Sequence, residues 1–170
     1  MLEEKITLEQ ARDDVLIMAD RLACLYYFMV ESILEDVDEE IAERIVRRAI
    51  QRYGLDCGEQ VRKKVETMGL PVTLKNYRLG KDLPSLGWEK ESVSLEDPNA
   101  VASQVNFCPL ADRWKKLGFE KWGRIYCCID QAKYRSYSDQ LTCYHDKNQL
   151  DGDSYCVVRV VSGPPQEEGR

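Results

Sequence analysis

Val101-Ala-Ser-Gln-Val-Asn-Phe-Cys-Pro-Leu-Ala-Asp-Arg-Trp-Lys-Lys-Leu-Gly118 carries two different periods within 18 residues. Val101, Ser103, Val105 and Phe107 alternate as a half-buried strand does. Pro109 then stands where a first helical turn tolerates a missing N–H, and Leu110, Trp114 and Leu117 recur at helical spacing up to Gly118. A strand running straight into a helix over 109–117 implies an α+β fold. Upstream, Val93 and Leu95 alternate ahead of Glu96-Asp-Pro-Asn99, which makes a hairpin turned at that tetrapeptide. Downstream, Leu141/Cys143/His145 and Cys156/Val158/Val160 flank Asn148-Gln-Leu-Asp-Gly-Asp153. This second hairpin is expected to place Cys143 and Cys156 nearly opposite each other on one face.

The N-terminal part is helical. Thr7-Leu-Glu-Gln10 forms a capping box. From it Leu8, Ala11, Val15, Met18, Leu22, Leu25 and Met29 follow at steps of three and four, a stripe expected to face the core along a helix reaching about Asp36. A coiled-coil dimer is the competing reading, disfavoured because Tyr26, Tyr27 and Phe28 widen the apolar face. Asp38 to Gly54 and Asp56 to Met68 read as a second and a third helix. Glu120 to Ala132 reads as one helix through Trp122, Ile125, Tyr126 and Ile129. The expected fold is three N-terminal helices and two later ones on a four-stranded, mostly antiparallel sheet of two hairpins. A single domain spans 1–162, helical over 1–69, with a frayed tail at 163–170.

Composition narrows the function. With 24 Lys+Arg against 30 Asp+Glu the net charge is −6, which gives no pull toward nucleic-acid phosphates or anionic lipid. Mean hydropathy is −0.47, and no apolar run approaches a membrane span. Met1-Leu-Glu-Glu-Lys5 does not read as a signal peptide, so a cytoplasmic location with the seven cysteines as thiols is expected. There is no Cys-x-x-Cys and only one histidine, so neither a metal of usual spacing nor any cofactor is expected. A scattered site of Cys127, Cys156 and His145 stays open.

Three stretches taken in order, Cys108-Pro-Leu-Ala-Asp-Arg-Trp-Lys-Lys-Leu-Gly118, Tyr126-Cys-Cys-Ile-Asp-Gln-Ala132 and Leu150-Asp-Gly-Asp-Ser-Tyr-Cys156, resemble the L-2-amino-thiazoline-4-carboxylic acid hydrolase family. Arg52-Tyr-Gly54, Gly58-Glu-Gln-Val-Arg62 and Leu74-Lys-Asn-Tyr77 are similar to its middle region, so the likeness covers about 40–160. Ser138-Asp139 departs from the Asn-Pro turn usual there. The closing glycine-acid-cysteine hairpin is also similar to 4-vinyl-reductase-like modules, which implies a second reading as a non-enzymatic small-molecule binder or sensor.

The family resemblance implies a small cyclic isothiourea bearing a carboxylate, opened by hydrolysis at the carbon bonded to nitrogen and sulfur. Asp130 is then the partner of a protonated amidine, its ordinary alternative being a surface pair with Lys133. Cys127, three residues earlier, is a candidate nucleophile, although a neighbouring carboxylate raises a thiol pKa and direct attack by water is favoured. Cys108 flanks a helix N-terminus whose free N–H groups stabilise a thiolate. Asp153 and Cys156 are assigned to substrate binding and Arg62 to a carboxylate clamp, although a turn role for Asp153 and a solvated one for Arg62 are the commoner uses. His145 is read as an exposed or satisfied strand residue, and Tyr77, Trp88, Trp114 and Tyr126 as pocket walls or core. At least three of Cys108, Cys127, Asp130, Asp153 and Cys156 are expected to meet at one cavity. The sequence leaves the oligomeric state open.

Overall fold

The computed structural model describes residues 5–84 and 86–163, so the first four residues and all of the expected tail except Gly163 lie outside it. Helix α1 (Leu8–Asp36) starts at the expected box: the Gln10 N–H donates to Thr7 Oγ1 at 3.1 Å and the Thr7 N–H to Gln10 Oε1 at 2.8 Å. Its buried ridge is Ala19, Ala23, Tyr26 and Val30, not the expected stripe. Met18, Leu22, Leu25 and Met29 lie on the outside. Small alanines let α1 approach the helix Pro109–Lys116 (α4), where Trp114 is 1% exposed and its indole N–H donates to the Ala23 carbonyl at 3.2 Å.

Helix α2 (Glu39–Thr67) is one unbroken helix where two were expected. Gly54 does not end it because the position is set by packing: a Cβ there would lie 2.6 Å from Ala132 Cβ, and one on Gly58 would overlap the Lys133 carbonyl oxygen. Both glycines bring α2 onto the helix Ile129–Tyr137 (α6). A short helix α3 (Leu74–Tyr77) and a 3₁₀ turn (Arg78–Gly80) follow.

The expected Glu120–Ala132 helix is two, α5 (Glu120–Tyr126) and α6. Around Cys127-Cys128 the backbone tightens, with Cys128 N donating to Ile125 O at 3.1 Å and Asp130 N to Cys127 O at 3.2 Å. No glycine or proline marks that break.

The sheet is antiparallel throughout in the order β1 (Glu89–Val93), β2 (Ala100–Phe107), β4 (Cys156–Ser162), β3 (Leu141–Lys147). The two expected hairpins are both present, joined along β2 and β4. Cys143 pairs with Val160 and His145 with Val158, so Cys156 shares their face but lies farther along β4 than expected. The extra residues belong to a 3₁₀ turn (Gln149–Asp151) and a bulge before Lys147. Two apolar clusters hold the layers: one where α1, α2, α4 and α5 meet, the other joining α2, α3 and α6 to the sheet.

Candidate functional site

The site grows from the junction of α5 and α6. The first turn of α6 carries Asp130 and the second Lys133, which helical spacing puts side by side. Lys133 Nζ binds Asp130 Oδ1 at 2.8 Å and Asp82 Oδ2 at 2.6 Å, and the Tyr77 hydroxyl donates to the same Asp82 oxygen at 3.1 Å. From β3, His145 reaches Asp130 Oδ2 through Nε2 at 2.9 Å, while its Nδ1 lies 3.4 Å from Arg124 Nη1 of α5. Arg124 Nε in turn binds Asp151 at 2.7 Å. A line of charge thus runs Asp82, Lys133, Asp130, His145, Arg124, Asp151, and the imidazole within it is 2% exposed.

Hydrogen-bond roles along this line assign the imidazole tautomer. A guanidinium can only donate, so Nδ1 facing Arg124 is the acceptor and Nε2 carries the hydrogen given to Asp130. Burial alone would raise the Asp130 pKa, but the Lys133 charge and the His145 hydrogen bond outweigh it and hold the carboxyl well below the usual range. Burial likewise disfavours the Lys133 ammonium, yet Asp130 and Asp82 together keep it protonated well beyond the ordinary lysine range.

The thiols behave differently. Burial pushes Cys127 up to about 12, with Asp130 and Cys108 adding to the rise. Cys108 is raised by burial too, against the pull of the Leu110 and Ala111 N–H groups. The helix N-terminus is therefore present as expected but does not win. Burial also raises Cys156, whose sulfur accepts the Gln149 N–H at 3.3 Å.

Of the residues singled out from the sequence, Asp130, Cys127, Cys108 and Cys156, from α6, the break before it, the residue after β2 and the start of β4, lie near enough to feel one another's charge, but none of them lines the groove described below. Both oxygens of Asp130 are occupied, so the bare amidine partner expected of it is already supplied by Lys133 and His145. Asp153 does not join them: it accepts the Asn148 N–H at 2.8 Å and closes the hairpin. Arg62 is on the outer side of α2, bound to Glu66 at 3.0 Å. The four aromatics divide too, with Trp114 and Tyr126 in one apolar cluster, Trp88 packed against it and Tyr77 in the other.

On the outer side of the same junction lies a groove of about 470 Å³ lined by Glu43, Arg47, Lys121, Arg124, Ile125, Cys128, Leu150 and Asp151. None of these was assigned to the site from the sequence, nor was Asp82, and His145 entered only as a member of the open metal set. Arg47 Nη1 is 3.8 Å from Cys128 Sγ, and Lys121 binds Glu39. Lys133 was visible three residues from Asp130, and His145 as the one histidine on the strand face of Cys143. Nothing in the sequence joins α5 to α2. Among the described residues no group of three or more His, Cys, Asp or Glu is arranged to hold a metal. The open Cys127, Cys156 and His145 set is therefore not assembled.

Residues 15–160 match the family described as L-2-amino-thiazoline-4-carboxylic acid hydrolase. The chain belongs to this family. The match takes in every residue of the charge line and of the groove. No curated protein matches the chain. Among solved structures it is similar to a crystal structure of a trafficking protein particle complex subunit 3 from Naegleria fowleri covalently bound to palmitic acid. Identity is 16% and the TM-score 0.52, over 89% of this chain and 99% of that one, a likeness of fold. No helix among the described residues is long and apolar enough to cross a membrane.

Proposed function

We propose that this family member opens a small cyclic isothiourea bearing a carboxylate, such as a 2-amino-thiazoline carboxylate, by direct attack of water. The observation that carries the reading is the Asp130–His145–Arg124 line, at 2.9 and 3.4 Å, ending in a groove that holds Arg47 and Lys121. Arg124 and its neighbouring cations take the substrate carboxylate. As Arg124 turns to that anion, Nδ1 of His145 is released to accept a proton from water. Asp130, hydrogen-bonded to Nε2–H, fixes the tautomer and offsets the charge the imidazole gains. Water oxygen bonds to the carbon between nitrogen and sulfur as one water proton passes to His145; the remaining hydroxyl proton leaves as the carbonyl forms and is replaced by one taken up on the ring nitrogen, the carbon–sulfur bond breaks, and the proton held by His145 goes to the departing sulfur. The product is a ureido acid with a free thiol.

In this reading His145 is the catalytic base and Asp130 its positioning residue. With its pKa pushed up to about 12, Cys127 walls the site with Cys108 rather than attacking. Cys156 and Asp153 hold the hairpin that carries the Asn148–Asp151 turn over α5. Arg62 takes no part.

The test is thiol release from 2-amino-thiazoline-4-carboxylate, read in protein-free filtrate to exclude the chain's own cysteines. His145→Asn and Asp130→Asn are each expected to lower kcat by on the order of 10²-fold or more with circular dichroism unchanged. Asp130→Asn should also move the pH profile of kcat/KM, which a purely structural carboxylate would not. Full activity in folded Asp130→Asn removes the mechanism. Tight binding by the wild type with no thiol released makes the chain a binding module.

A further inference from the structure

The α1 stripe that was expected to be core faces outward. Met18, Leu22, Leu25 and Met29 are 65, 39, 59 and 58% exposed, with Phe28 at 64% beside them. Four large apolar side chains on one helical ridge are more than scattered surface hydrophobics, and a ridge of this kind marks an interaction surface. The core of this chain uses a different face of α1, so among the described residues no internal partner covers the ridge.

Two features of the ridge point to its occupant. The steps of three and four from Leu8 to Met29 sustain the 3.5-residue repeat of a helix-on-helix seam. Within it, Met18, Leu22, Leu25 and Met29 are spaced four, three, four, a pattern that reads the same in both directions. An identical helix laid antiparallel about an axis between Leu22 and Leu25 therefore sets Met18 against Met29 and Leu22 against Leu25, twice over. Self-complementarity of this kind is the requirement of a twofold interface. The flank agrees, because the same axis would set Arg21 of one copy near Phe28 of the other, where a cation–π pair could form twice.

We propose that the outer ridge of α1 is the homodimer interface, a second copy of this chain packing antiparallel through Met18, Leu22, Leu25 and Met29. The ridge lies on α1, away from the groove between α2 and α5, so the dimer neither requires nor blocks the proposed hydrolysis.

Light scattering and sedimentation of the full chain at about 100 μM, where a dimer of micromolar Kd is nearly complete, should give twice the 19.7 kDa chain mass. Leu25→Glu should give the single-chain mass with an unchanged far-UV spectrum, since the side chain it replaces is already exposed. The double variant Leu22→Lys/Leu25→Glu sets an ammonium against a carboxylate across an antiparallel seam and like charge against like across a parallel one. It should tighten dimerisation at least tenfold relative to Leu25→Glu alone. A monomeric wild type, a Leu25→Glu protein that stays dimeric, or a double variant no tighter than Leu25→Glu would each overturn the proposal.

Discussion

Cys127 and Cys128 are neighbours in the chain and belong to opposite sides of one helix junction. Inward lie Asp82, Lys133, Asp130 and His145, each charge met by another within 3 Å. Outward lie Arg47, Lys121 and Arg124, each paired with a half-exposed carboxylate, of Glu43, Glu39 and Asp151. Inside, burial dominates, and it makes Cys127 a poor thiolate. Outside, the side chains stay half exposed and Cys128 faces a guanidinium. Arg124 has an edge on each side. The difference teaches that the inner line is preorganised and the outer one receptive, and that a substrate anion arriving outside is felt inside through one residue.

The largest effect should come from removing the inner compensation. Lys133→Met leaves two partly buried carboxylates without their shared ammonium, and a loss of up to about 3–5 kcal/mol is expected from such a change. Denaturant unfolding at neutral pH measures it. A much smaller loss would mean that water already reaches the inner line.

The same contrast has a pH signature. Asp130 is held below its unfolded pKa of about 3.9, so its contribution is present above that pH and lost as the pH falls through the folded value. Lys133 is shifted the other way, so its contribution is complete below about 10.4 and declines as the pH rises through the folded value. The stability gap between wild type and Asp130→Asn should therefore close in acid below about pH 4. A gap that is constant down to pH 2 would show that Asp130 is not the ionised partner of Lys133.

On the outer side, Arg124→Gln should raise KM for a carboxylate substrate by on the order of tenfold or more, the worth of one charged hydrogen bond. It should leave KM for an uncharged analogue nearly unchanged. Equal effects on both substrates would place the carboxylate elsewhere. The two cysteines sharpen the comparison further. At pH 8 a thiol of pKa about 12 is ionised in roughly one molecule in 10⁴. Iodoacetamide should therefore label Cys128 well before Cys127, as peptide mass spectrometry would read. Arg62→Ala marks the lower bound: exposed and paired only with Glu66, it should change neither melting temperature nor turnover.

Much of this architecture was legible in residue order. The capping box at Thr7, the strand entering a proline-led helix at Cys108-Pro109 and the two hairpins all rest on interactions between near neighbours, which sequence displays. One glycine and one stripe misled for a common reason. Gly54 looks like a helix end because glycine favours ends, but here it is small because α6 presses on it. The α1 stripe has the period of a core face, yet period does not say which of two apolar faces turns inward. The alanines at 19 and 23 are the face that admits Trp114, a fact about a residue 91 positions from Ala23.

The site divides along the same line. Asp130 and Lys133 are one helical turn apart, so their pairing is contained in the sequence, and family likeness drew attention to Asp130, Cys127 and Cys108. That Asp82 completes the pair, that His145 meets Asp130 from a strand, and that Arg47 of α2 faces Cys128 depend on how helices and sheet dock. Local periodicity and turn chemistry act over a few residues and determined the elements, their order and the α+β class. Docking is decided by which side chains fit at contacts between distant segments. Only the tertiary structure could make one line of charge from five separate segments, or leave the most regular apolar stripe in the chain facing solvent.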